Sequence, residues 1–93
     1  MILSPLAREF YRVAITTDGD VTDWEASFDG GTTWHDGEVD PDEETFTRWL
    51  LAGPDAPLGT AVAVITADVV PIVRATDNPE IVVRKAPRIT LDR

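Results

Sequence analysis

The chain has 93 residues, no cysteine and a formal net charge of −9. This length favours one domain with a small core, and the lack of cysteine excludes disulfides, thiolate metal sites and thiol catalysis. An acidic chain is repelled by phosphate backbones and anionic lipids, and no apolar run approaches the roughly 20 residues of a membrane span, so neither nucleic acid nor a membrane is expected as a partner.

Residues 1–8 form the expected N-terminal arm, of which residues 1–6 are apolar and contain a proline. They lack the charged and long apolar regions of a signal peptide, so a soluble chain made in a cytoplasm is expected. Ile2, Leu3 and Leu6 are predicted to belong to an N-terminal arm that adds to the sheet edge of a neighbour, or to a frayed end. Residues 9–93 are predicted to form one β-sandwich domain.

Two segments then alternate as half-buried strands do. Residues 9–17 place Tyr11 and Val13 on the same side, and residues 22–28 place Ala26 on one face together with the aromatic residues of that segment. No segment keeps a helical period, and at most one helical turn is expected near residues 41–44.

The octapeptide at residues 27–34 reads SFDGGTTW and fits the pattern S-x-D-x-G-x-T-W. It resembles the Asp-box, a β-hairpin turn motif of sialidase-like propellers and other secreted or surface β-proteins. The resemblance implies a structural turn carried by Ser27, Asp29, Gly31, Thr33 and Trp34. Gly31 is expected to adopt positive φ and Asp29 to accept backbone N–H groups. A sialidase needs several copies and an arginine cluster, which this chain lacks, so sugar binding through Trp34 is only the alternative.

The acidic segment that follows suggests a cation site without completing one. Its six acids are Asp36, Glu38, Asp40, Asp42, Glu43 and Glu44. The spacing of the first three resembles a Ca²⁺ loop, but an EF-hand also needs Gly at loop position six and Glu at position twelve. Solvated charge is the favoured interpretation, Ca²⁺ binding stays open, and no cofactor or metal is predicted.

Catalytic residues are equally sparse. His35 is the only histidine, Ser4 and Ser27 are the only serines, and no G-x-S-x-G elbow is present. His35 is therefore predicted to be an exposed turn residue, and no enzymatic activity is predicted.

Further strands are predicted at residues 45–52, 60–66, 69–75, 81–85 and 88–91. The apolar run 60–66 is expected to be covered on both sides, and Pro71 suggests that 69–75 lies at a sheet edge or contains a bulge. About seven strands without a repeat favour an all-β fold, an immunoglobulin-like antiparallel sandwich that carries the Asp-box hairpin.

The two ends of the chain carry a second resemblance. The early segment REFYRV (8–13), the late turn RATDNPE (74–80) and the closing strands (82–84 and 88–91) resemble small immunoglobulin-like proteins encoded in the virion modules of actinobacterial tailed phages and prophages. The resemblance implies a virion protein made in the host cytoplasm. It implies a head–tail connector, neck or capsid decoration protein that binds capsid, portal or tail subunits as a symmetric homo-oligomer.

The predicted contact surface combines apolar and basic residues. It consists of Ile2, Leu3, Leu6, Trp49, Arg74, Arg84, Lys85 and Arg88. Two other classes remain as alternatives: a carbohydrate-binding accessory module that uses exposed tryptophans, and, less favoured, a small hydrolase.

Overall fold

The computed structural model describes residues 1–14, 23–43, 45–77 and 80–92. These residues form ten β-strands and no helix, which confirms the predicted all-β class. In chain order the strands are β1 (Ile2–Leu3), β2 (Arg8–Val13), β3 (Asp23–Ser27), β4 (His35–Asp36), β5 (Glu38–Val39), β6 (Thr47–Ala52), β7 (Ala63–Val64), β8 (Ile72–Asp77), β9 (Glu80–Lys85) and β10 (Thr90–Leu91). The helical turn expected near 41–44 is absent from residues 41–43, which form a bend. Residues 15–17 and 22 of the predicted strands, Glu44, and residues 78–79 of the predicted turn lie outside the described residues.

The first four-stranded sheet is built on the antiparallel pair β2 and β6. Its register runs from Arg8 opposite Ala52 to Val13 opposite Thr47. The other side of β6 pairs with β5 in antiparallel and with β7 in parallel orientation. β6 is therefore central, and no described strand pairs with the outer side of β2.

The second four-stranded sheet has the order β4-β3-β8-β9 and is antiparallel throughout. β8 lies between β3 and β9, so the prediction of an edge strand near Pro71 is wrong. Because β8 begins one residue after this proline, the missing N–H falls at the very end of the β8–β9 ladder, where the Pro71 carbonyl still accepts the Ala86 N–H, and the strand can occupy an inner position. The edge strand of this sheet is β9.

Both sheets contribute side chains to one core. Tyr11, Trp49 and Leu51 come from the first sheet, and Ala26 and Val73 from the second. The alternation predicted for β2 and β3 is confirmed at Tyr11, Val13 and Ala26, which are all buried.

Trp49 is wrongly predicted as a contact residue. It is almost completely buried because it lies on the central strand β6, and its indole N–H donates to the carbonyl of His35 at 2.9 Å. Gly37 lies directly against this ring, where an added Cβ would collide with the side chains of Thr47 and Trp49. The glycine thus makes room for the largest core side chain.

The two ends of the chain meet in a third, two-stranded sheet. β1 pairs in parallel with β10, with Ile2 opposite Thr90 and Leu3 opposite Leu91. Leu3 is completely buried, so the prediction that it contacts a partner is wrong. The N-terminal strand adds to a strand of its own chain, because its leucine side chain has a place in the core.

The apolar run 60–66 is not the doubly covered strand that was expected. The run pairs with β6 through Ala63 and Val64, and the N–H groups of the two flanking residues also donate to β6 carbonyls. Val62 and Val64 are nevertheless exposed. Ile65 is the one buried residue of the run, at 2% exposed, and Ala63 packs partly against the core. The short parallel pairing with the end of β6 leaves the outer side of the run uncovered, so its apolar composition does not imply burial.

Candidate functional site

The turn of residues 27–34 joins β3 to β4 and is held by a network around two polar side chains. The Ser27 Oγ–H donates to Asp29 Oδ1 at 2.7 Å, and Ser27 Oγ also accepts the Gly31 N–H at 2.9 Å. Asp29 Oδ1 also accepts the backbone N–H groups of Thr32 and Thr33, at 3.1 and 2.9 Å. Ser27 and Asp29 are thus occupied in holding the turn.

The same hydrogen bonds change the acidity of the turn. The backbone N–H of Thr33 and the hydroxyl of Ser27 stabilise the carboxylate of Asp29 and lower its pKa from 3.8 to about 2. Gly30 and Gly31 have φ of 76° and 99°, in the left-handed region that glycine adopts without steric cost. The turn therefore depends on an ionised aspartate and on two consecutive glycines.

Trp34 lies beside a charged pair of the second sheet. The Arg74 guanidinium is 4.0 Å from the centroid of the Trp34 ring and donates to Glu25 Oε1 at 2.9 Å. Trp34, Arg74 and Glu25 are all half-buried. Arg74 was predicted as a contact residue, but much of its hydrogen-bonding and stacking capacity is used within the chain.

The acidic segment is tied to the first sheet by two ion pairs. Arg12 Nε donates to Asp40 Oδ2 at 2.5 Å, and Asp40 Oδ1 accepts the Asp42 N–H at 2.9 Å. The Arg12 guanidinium, followed by this N–H, holds the pKa of the buried Asp40 below its usual 3.8. Glu38 Oε1 accepts from Arg48 Nε at 2.7 Å. Within the described ranges, no group of three or more histidines or acids is placed to hold a metal ion.

His35 is not the exposed turn residue that was predicted. It belongs to β4 and is half-buried, with its ring centroid 6.2 Å from that of Phe28.

An open pocket of about 240 Å³ lies on the first sheet, lined among others by Phe10, Trp49 and Val62. Arg48 also lines it and stacks on Phe10, with 3.9 Å between the guanidinium carbon and the ring centroid.

Six of the eight predicted contact residues reach the surface. Ile2 and Leu6 are exposed on the N-terminal segment, and Arg74 is exposed in part. Arg84 and Lys85 are exposed at the end of β9. The sixth, Arg88, is exposed and donates to Asp68 Oδ2 at 3.1 Å. The bases of this surface are thus concentrated on and just after β9.

Sequence reasoning missed two further surface residues on β9, Ile81 and Val83. Their exposed fractions are 62% and 48%, and they alternate along the strand toward the basic end. The alternation was visible in the sequence, but the sequence did not show that β8 is the one neighbour of β9 in the part of the chain that the structure describes. The most prominent unpartnered feature of the described chain is therefore the outer edge of β9.

Comparison with protein-family models, with curated proteins and with solved structures finds no match to this chain. Across the described residues, no helix is long and apolar enough to cross a membrane.

Proposed function

We propose that the protein is a non-enzymatic structural protein of a tailed bacteriophage virion, of the head–tail connector, neck or capsid decoration type. In this proposal it is an immunoglobulin-like β-sandwich with an Asp-box hairpin, and it works by contacting other virion proteins. The observation that carries the proposal is the division between polar groups that hold turns and an apolar, basic sheet edge that has no partner strand among the described residues.

The fold supports the sandwich assignment in two ways. Two four-stranded sheets share one core, as the sheets of a sandwich do. The buried Tyr11 donates its hydroxyl proton to the carbonyl of Pro87, which ties β2 to the segment before β10. The turn of residues 27–34, with its Ser27 and Asp29 network, supports the Asp-box assignment.

The side-chain chemistry supports binding over catalysis. The hydroxyl of Ser27 is engaged in the turn, Asp40 is paired with Arg12, and the ring of the half-buried His35 lies beside that of Phe28. The surface on and just after β9 instead presents aliphatic and basic side chains, and arginine is enriched at protein interfaces. A virion repeats such weak contacts symmetrically, so avidity makes assembly strong.

The partners in this proposal are capsid, portal or tail subunits and further copies of the chain. Nucleic acid and membranes are not among them, because a net charge of −9 is repelled by both. The protein is made in the host cytoplasm and resides in the virion.

The proposal is tested by mass spectrometry of particles purified from a host that carries the gene. We expect the chain in the particles, at a stoichiometry fixed relative to the capsid or portal protein. Its absence from particles while it is abundant in the lysate overturns the virion role.

The contact surface is tested by exchanging Arg84 and Lys85 for Glu, with Arg8→Glu as a control for an exposed base on the other sheet. We expect reduced incorporation for the first variant and normal incorporation for the control. Unchanged incorporation of the first variant rejects this surface.

A carbohydrate-binding module is the second candidate, favoured by the partly exposed Trp34 beside the Arg74–Glu25 pair. Aromatic rings next to charged hydrogen-bonding groups suit sugar binding. Glycan-array binding that disappears on Trp34→Ala supports this function, and the absence of glycan binding removes it.

A further inference from the structure

β9 presents an open edge to solvent. It is the last strand of the second sheet, and none of the strands in the described part of the chain pairs with its outer side. At about 3.4 Å per residue, its six residues offer an edge roughly 20 Å long. An edge of this length is a template for pairing with another strand.

Two hydrogen bonds show which residues of β9 direct their backbone N–H and C=O groups away from β8. The Ala86 N–H donates to the carbonyl of Pro71, which continues the β8–β9 ladder at an even-numbered residue. The carbonyl of Val83 accepts instead from the side chain of its neighbour Arg84. Because backbone groups alternate between the two sides of a strand, the N–H and C=O groups of Ile81 and Val83 point away from β8.

The side chains of this edge do not discourage pairing. Ile81 and Val83 are exposed and aliphatic, and no charge lies between positions 80 and 84. β2, the other long edge strand, carries Arg8, Glu9 and Arg12 as exposed residues. Charged side chains protect edges from unwanted pairing, and the middle of β9 lacks them.

We propose that the outer edge of β9 binds β9 of a second copy of this chain, antiparallel about a two-fold axis at Val82. This inference rests on the proposed function as an assembling protein and specifies one of its contacts. The two second sheets then join into one continuous eight-stranded sheet.

Symmetry and charge select this register. Opposed residues of antiparallel strands lie on the same face, so a two-fold axis pairs positions of equal parity. Centred on Val82, the pairing sets Ile81 opposite Val83 twice and position 80, a glutamate, opposite position 84, an arginine, twice. Apolar residues meet each other and opposite charges meet each other.

The neighbouring register is less favourable. Centred on Val83, it sets Ile81 opposite Lys85 and Val82 opposite Arg84, so each base meets an aliphatic residue. Both registers use the outward backbone groups of Ile81 and Val83, which give about four intermolecular hydrogen bonds in the register centred on Val82, so the side chains decide between the two.

Sedimentation equilibrium of the purified protein tests this pairing. We expect a dimer for the unaltered chain and dimerisation weakened on the order of tenfold for Arg84→Glu or Glu80→Arg, because like charges then face each other in both symmetric pairs. The double variant with both changes restores the opposite charges and dimerisation. Lys85→Glu, outside the paired positions 80–84, is the matched control and stays dimeric. A monomeric unaltered chain, or a double variant as weak as the single ones, overturns the proposal.

Cross-linking provides a second test that does not depend on charge. The chain has no cysteine, so Val82→Cys introduces a single thiol. In the proposed register the two Val82 residues form a non-hydrogen-bonded pair, with Cα atoms about 4.5 Å apart, within the range of a disulfide. We expect disulfide-linked dimers to form rapidly on mild oxidation.

The control is Val64→Cys on the first sheet, a residue whose side chain is 44% exposed. It is expected to cross-link slowly. Equal rates for the two variants, with circular dichroism showing both folded, overturn the register. Because both tests use purified protein, their failure leaves the virion role open, and absence from particles leaves the dimer open.

Discussion

The N-terminal strand β1 and the late strand β9 differ in how their edges are paired. β1 finds its partner within the chain: it pairs with β10, and the N-terminal amino group donates to the carbonyl of Arg88 at 2.9 Å. β9 pairs with β8, and no other strand of residues 1–14, 23–43, 45–77 and 80–92 pairs with it. The difference follows from the side chains, since Leu3 is buried in the core while Ile81 stays 62% exposed.

This comparison shows that apolar composition does not identify a contact surface. The sequence of residues 1–8 suggests an arm for a neighbour, and the structure uses its leucine at position 3 to complete the core. β9, with fewer apolar residues in sequence, retains the exposed edge. Substitutions can separate a strand that stabilises the fold from a strand that is free to bind.

The largest expected effect on stability is at the N-terminal strand β1. Leu3→Ala removes a completely buried side chain and lowers the free energy of unfolding by about 2–5 kcal/mol. Ile2→Ala is the matched control, since its side chain is 69% exposed, and it changes stability by no more than about 0.5 kcal/mol. Urea denaturation measures both. Similar losses for the two variants contradict the assignment of β1 to the core.

The next effect concerns the tie between β2 and the segment before β10. Tyr11→Phe removes the hydrogen bond to the Pro87 carbonyl and lowers stability by about 1 kcal/mol. Burial raises the pKa of Tyr11 from 10.0 to about 12, so folding favours the neutral phenol. This contribution is complete below pH 10 and is lost as the pH rises toward 12.

Thermal unfolding between pH 9 and 12 measures this loss, and Tyr11→Phe is expected to remove the part that depends on the phenol. If the melting temperature falls equally with rising pH in the unaltered chain and in the variant, the result contradicts the role of Tyr11.

A smaller effect is expected in acid. The hydrogen bonds to Asp29 lower its pKa from 3.8 to about 2, and Arg12 lowers that of Asp40. Both carboxylates therefore stabilise the fold above pH 4, and their contributions are lost as the pH falls through the folded-state values. Asp29→Asn and Asp40→Asn are each expected to flatten the loss of melting temperature below pH 4. Asp36→Asn, at an exposed acid, is the control for the loss of one negative charge.

The smallest effect on stability is expected at the open edge. Ile81→Thr and Val83→Thr keep β-branched side chains at exposed positions, so the free energy of unfolding of the monomer changes by no more than about 0.5 kcal/mol. The same changes weaken self-association, because each removes apolar contacts in both copies. Urea denaturation at low protein concentration, compared with sedimentation, separates the two effects. A large loss of monomer stability contradicts the exposed position of these residues.

Alternation in the sequence predicted the fold well where one face of a strand is covered. Tyr11 and Val13 are buried as expected, and residues 23–27 and 80–85 form strands close to the predicted ones. Short, local patterns suffice there, because period-two alternation directly reflects the two faces of a sheet.

Prediction from the sequence failed where the burial of a residue depends on the order of strands in the sheet. Trp49 is a core residue because β6 lies between β2 and two short strands, and no local pattern reveals this neighbourhood. The run 60–66 is apolar yet largely exposed for the same reason. Likewise, the open edge of β9 appears only once it is known which strand ends the sheet.

The most direct test of the account is amide hydrogen exchange of the unaltered chain at low and at high protein concentration. The account predicts that the amides of Ile81 and Val83 gain protection at high concentration, while the amides along the outer side of β2 do not change. Protection that is independent of concentration at β9, or that increases at β2 instead, contradicts an assembly contact through this edge.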